Sequence, residues 1–111
     1  MTQGQYVFIE SRDPFDSSDT GFVADAATAL RARGRAVTVF LVQNGVLATR
    51  AGAQGSPVPR LTEAGVRVLA DDFSLVERGI EPRELSPGVA AASIGTLVDL
   101  VVQPDTKTLW H

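Results

Sequence analysis

A chain of 111 residues that is 44 % hydrophobic and 21 % charged has the material for one domain with a single core, which excludes a disordered or polyelectrolyte protein. A net charge of −3 and an isoelectric point near 5.0 leave no basic footprint for nucleic acid, and no apolar run approaches the roughly eighteen residues that cross a bilayer. The start, MTQGQYVFIE, lacks the basic and apolar regions of a signal peptide; zero cysteines remove disulfides, thiolate metal sites and cysteine nucleophiles, and suit a cytoplasmic protein.

Tyr6 to Glu10 (YVFIE) is a run of strand formers and reads as a first, central strand. SRDPFDSSD is a loop by composition, in which Pro14 forces Asp13 out of helical geometry. Asp19 or Thr20 is placed to cap a helix running to Arg33, with Phe22, Val23, Ala26, Ala29 and Leu30 on one face and Gly34 closing it. Ala36 to Val42 (AVTVFLV) is apolar on both faces apart from Thr38, the pattern of a strand covered by helices on both sides. Gln43-Asn44-Gly45 ends it. From Val46 to Pro59 small residues, glycines and prolines predict a short helix and then a mobile loop, followed by a brief helix at about Arg60 to Ala64.

Val66 to Ala70 predicts a third strand, which Asp71 and Asp72 stop, and Phe73 to Arg78 a helix that Gly79 ends. After the connector EPRELSPGV, Ala90 to Val102 reads as a helix with Ile94, Leu97, Val98 and Val101 as its apolar stripe, and Thr106 to Trp110 as a last strand. This alternation predicts a parallel sheet with helices on both faces, joined by right-handed crossovers.

Parallel strands bring their carboxyl ends to one edge, where open α/β proteins bind ligands. That edge should collect Arg12, Asp13, Gln43, Asn44, Asp71 and Asp72, with Ser74 just inside the following helix. Two readings of the aspartates compete. Asp71 or Asp72 could act as acid, base or ligand to a hard cation; or one caps the helix starting at Phe73 and the other faces water, which is the simpler chemistry and the preferred reading. A phosphoacceptor receiver site does not fit: there the paired carboxylates follow the first strand and a lysine the last, whereas Lys107 lies inside the last strand. His111 predicts a solvated, frayed terminus with no triad. Trp110 is a core residue or a subunit anchor, and GRGR around Gly34 lacks the spacing of a phosphate loop. Nothing in these residues requires a metal or cofactor.

YVFIE, FLVQNGV, ADDFSLVERGI and LVDLVVQPDTKTLWH together resemble the DsrE/DsrF/TusD family of sulfur-relay proteins over nearly the whole chain. The resemblance implies one domain over residues 1–111, a flavodoxin-like three-layer α/β sandwich with a mainly parallel sheet of about five strands and helices on both faces. It also implies association as a dimer, trimer or hexamer of one chain, or as a hetero-oligomer with other DsrE-like subunits. In that family a cysteine after the third strand carries a persulfide, and counting back from Arg78-Gly79 places it at about Asp71. A carboxylate cannot replace a thiolate in that step, so the resemblance implies a structural or ligand-binding subunit. An enzyme that uses the Asp71/Asp72 edge on a small molecule or metal, and a stand-alone regulatory binding module, are the alternatives. The final helix, apolar beyond one stripe through Leu100, Val102, Ala91 and Ala92, predicts a partner subunit over part of it.

Overall fold

The computed structural model describes residues 4–15 and 21–111, so the capping positions expected at Asp19 and Thr20 lie outside the described residues. Strands β1 (Gln5–Glu10), β2 (Ala36–Leu41), β3 (Arg67–Asp71), β4 (Val89–Ala92) and β5 (Thr106–Trp110) form one sheet. Helices α1 (Gly21–Ala32), α2 (Val58–Glu63), α3 (Asp72–Glu77) and α4 (Ile94–Val101) lie between them. The strand order is β4-β3-β2-β1-β5, and every neighbouring pair is parallel.

The register aligns two rows of side chains across the sheet. Leu109, Phe8, Val39, Val68 and Val89 run along the first face, and Trp110, Ile9, Phe40, Leu69 and Ala90 along the second. Three successive connections move the chain in one direction, from β1 to β4, so right-handedness puts α1, α2 and α3 on the first face. The return from β4 to β5 reverses direction and puts α4 alone on the second. The first-face core packs Phe8, Val39 and Val68 against Val23, Ala24 and Ala27 of α1, Val58 and Leu61 of α2, and Leu75 of α3. The second-face core is smaller: Val7, Ile9, Phe40, Val42 and Leu69 beneath Leu97 and Leu100.

Three expectations are corrected. The helix expected from Ala90 is a strand up to Ala92: alanine favours helix, but pairing with β3 makes these residues an edge strand, and the helix starts only after Ser93, whose side chain accepts from the Thr96 N–H. The stripe of α4 is Leu97 and Leu100 with Val101 half-buried, while Ile94 and Val98 are exposed. The face of α1 is turned by about one residue, burying Val23, Ala24 and Ala27 and leaving Phe22 and Ala29 exposed, because the ridge that fits the sheet is the small-residue one. The segment expected to hold a short helix and then a loop keeps that order, with its helical part packed into the core and the turns at 50–55 mostly exposed. A 3₁₀ segment (Gln43–Thr49) leads through turns into α2, with Val46 and Thr49 fully buried, and the Ser56 hydroxyl donates to the Ala48 carbonyl at 2.6 Å. Gly45 is required there: any Cβ would collide with the Glu10 carbonyl, which accepts from the Val42 N–H.

Candidate functional site at the carboxyl edge of the sheet

Asp71 ends β3 with its side chain on the second face and is 8 % exposed. Its Oδ2 accepts from the Ser74 N–H at 3.0 Å, capping α3, and from the Ser74 hydroxyl at 2.7 Å. Ser74 Oγ in turn accepts from the Gln43 N–H at 2.9 Å. Gln43 adopts φ 51°, an unusual backbone for a residue with a Cβ, and this relay to Asp71 anchors it. The third strand, its following helix and the end of β2 are thereby tied at one point. Asp72, the first residue of α3, is exposed, where its charge suits the positive end of a helix.

A groove of about 290 Å³ opens over this network, between the polar groups of Gln43, Asp71, Ser74 and Glu77 and the apolar side chains of Phe73, Ile94, Leu97 and Trp110. The other expected edge residues do not line it. Asn44 Oδ1 accepts from Arg78 at 3.2 and 3.0 Å. Asp13 turns back to accept from the Phe15 N–H at 2.9 Å, and Arg12 lies on the first face beside Glu10. Among the described residues no group of three or more His, Cys, Asp or Glu is placed to hold a metal ion.

His111 is not frayed, which corrects the expectation for it. It continues β5 beside β1: its N–H donates to the Ile9 carbonyl at 2.8 Å and its carbonyl accepts from the Ser11 N–H at 3.0 Å. Its Nδ1 lies 2.9 and 2.8 Å from the two carboxylate oxygens of Glu10, and when that carboxylate is ionised Nδ1 is the donor. Glu10 is only 5 % exposed, and burial pushes its carboxyl pKa above 4.5 although the His111 hydrogen bond and charge pull the other way. Sequence reasoning missed this pair. Its signal was an acid ending the apolar run of one strand and a histidine following another, which parallel register sets side by side. Trp110 is 68 % exposed and so not core.

An all-parallel five-stranded sheet with helices on both faces and a polar carboxyl edge is a flavodoxin-like α/β sandwich. The sequence profile of the DsrE/DsrF-like family matches residues 4–107, and the chain belongs to that family. The fold is shared with the crystal structure of the ychN protein from E. coli, at a TM-score of 0.88 and 21 % identity over 98 % of this chain and 100 % of that one. The protein of unknown function MTH1491 from Methanobacterium thermoautotrophicum matches at 0.83 and 23 % identity, again over 98 % and 100 %. The protein of unknown function BT1422 from Bacteroides thetaiotaomicron matches at 0.73 and 14 % identity, over 96 % and 95 %. No curated protein matches the chain.

Proposed function

We propose that the chain is a cysteine-less DsrE-like subunit that works in the cytoplasm, linked to sulfur relay or sulfur metabolism, as a structural or small-ligand-binding partner rather than as a sulfur carrier. One observation carries the reading. At the strand–helix junction where the family resemblance puts the persulfide cysteine, Asp71 stands instead, and its carboxylate is engaged by Ser74. Sulfane-sulfur transfer needs a polarisable thiolate, and the chain has no cysteine to supply one. The apolar residues left exposed on and just after α4 and on β5, namely Ile94, Val98, Val102, Leu109 and Trp110, support association with like subunits, as a homo-oligomer or with other DsrE-like chains.

Two measurements test this. Incubation with a sulfane-sulfur donor followed by intact-mass determination should add no sulfur; a stable adduct overturns the non-carrier reading. Light scattering behind a sizing column should give a mass above 11.8 kDa, alone or after mixing with a cysteine-bearing DsrE-like chain. A monomer both alone and in the mixture removes the subunit role.

The groove beside Asp71 favours a second reading, an enzyme or binder for a small molecule or cation at the Asp71/Asp72 edge. A thermal-shift screen of divalent cations and small metabolites distinguishes it. A ligand-dependent rise in melting temperature that Asp71→Asn abolishes would establish this reading over the structural one.

A further inference from the structure

The amino edge of the sheet, at the opposite end of the strands from Asp71, carries a concave surface of different chemistry. The turns entering β2 and β3 place Gly34 and Gly65 on the wall of one cavity, and Arg31, in the last turn of α1, reaches Gly65, its Nε donating to the carbonyl at 3.3 Å. Arg67 opens β3 opposite Thr38 of β2, on the second face. The cavity between Arg31, Thr38, Arg67 and Gln5 measures about 390 Å³. Gln5 also borders a smaller polar hollow of about 90 Å³ lined by Arg35 and Lys107. With Arg33 in the same turn, five of the ten Lys and Arg residues of a chain carrying net charge −3 fall along this one edge.

None of these cations forms an ion pair with a carboxylate among the described residues. Among the described residues the ion pairs of the arginines use Arg60, Arg78 and Arg83 and never reach this edge. The one carboxylate among the described residues that lines either hollow is that of Asp105. Unpaired like charges held close together repel, and a bound anion relieves that repulsion. Guanidinium groups offer planar forks that match oxyanions, and the cavity lies in the size range of small-ligand clefts. The side chain of Gln5 is already fixed by hydrogen bonds to Gln103 and Thr106, so one wall is in place before any ligand arrives. We propose that this groove binds a small polyvalent oxyanion of the phosphate or pyrophosphate type, free or as the head of a larger molecule, with Arg31 and Arg67 as its principal contacts and Arg35 and Lys107 raising the local potential.

Calorimetric titration of the whole chain at low ionic strength with inorganic pyrophosphate, orthophosphate and adenosine diphosphate tests the proposal. Pyrophosphate should bind saturably, one per chain, and more weakly as salt rises. Arg67→Gln should weaken that binding by roughly tenfold or more, since a charge-assisted bond is lost, whereas Arg83→Gln should leave it unchanged. Arg31→Gln should act like Arg67→Gln, but it also removes the bond to Gly65; Arg67 has no such structural bond, so its variant decides if the other misfolds. Binding of pyrophosphate and adenosine diphosphate alike supports a headgroup source, and binding of pyrophosphate without the nucleotide a free anion. No binding by pyrophosphate, or equal weakening in Arg83→Gln, overturns the site.

Discussion

The two faces of the sheet are built to different standards. Among the described residues, sixteen form the first-face core and seven the second, although the sheet offers the same five strands to both. The difference follows from connectivity: three crossovers deposit their helices on one side, and a single reversal leaves α4 alone on the other. The first face therefore buries the larger core under three helices, although Leu109 at its β5 edge and Phe22 of α1 stay exposed. The second leaves Ile94, Val98, Val102 and Trp110 in water, and it is the face that the proposed subunit contact would use. Each face also ends at the carboxyl edge in one buried carboxylate, Glu10 on the first and Asp71 on the second, and these too are handled differently. Asp71 is satisfied by its own helix, three residues on, while Glu10 is met by a residue one hundred and one positions away.

The sharpest challenge to this contrast lies at the carboxyl end of α4. Leu100 is 7 % exposed and Val102 is 70 % exposed, two positions apart. Leu100→Asp buries an unpaired charge and should abolish cooperative folding in circular dichroism, a loss of several kcal/mol or more. Val102→Asp should unfold at a denaturant midpoint close to that of the parent, within roughly 0.5 kcal/mol, while shifting any assembly towards monomer. If Val102→Asp unfolds the chain, the second face is more closed than described.

Next in size come the central phenylalanines, one on each face. Phe8→Ala and Phe40→Ala should each cost about 3–5 kcal/mol in urea unfolding. The cost should be smaller for Phe40, because a void under a single helix collapses more readily than one enclosed by three elements. A larger loss at Phe40 would break the comparison.

A smaller effect is expected at the Asp71 cap. Asp71→Ala should lower stability by about 0.5–2 kcal/mol, and Asp71→Ser, which keeps an acceptor for the Ser74 N–H, by less. Equal losses in the two variants would show that the carboxylate does more than cap α3.

The smallest effect is electrostatic and belongs to Glu10. Its pKa is raised in the folded state, by burial first, so the native chain holds this proton more tightly than the unfolded one. That contribution is present in full below the ordinary value of 4.5 and is lost as pH rises from there through the raised value. Glu10→Gln keeps an acceptor for His111 Nδ1 without the charge. Its stability relative to the parent should therefore improve as pH climbs through that window in thermal melts. A relative stability that is flat, or falls, would mean that the hydrogen bond and charge of His111 outweigh burial.

Much of this was readable in the linear chain, and the reason is locality. β1, β2 and β3 announce themselves as apolar runs bounded by loop formers, and β5 as a short stretch of strand formers after Pro104 and Asp105. The Asp71 cap follows from an acid at a strand–helix junction whose partner lies three residues on. Where the deciding contact was distant, the reading failed. The alanines of β4 favour a helix until β3 supplies the partner strand, and the burial of Val46, Ala48 and Thr49 ahead of the exposed turns needs the distant core of Phe8, Leu41 and α1. Phe22 looked inward because aromatic rings usually do, yet close approach of α1 to the sheet required the alanine ridge instead. The pairing of Glu10 with His111, and the placing of Arg31 and Arg67 on one cavity, exist only because β5 lies beside β1 and β3 beside β2. Local patterning specifies which segments are strands and helices, since each residue's preference is set by its near neighbours. Which side chains share a face, a groove or a proton is settled only when the order of strands, and the hand of the connections between them, bring distant residues within bonding range.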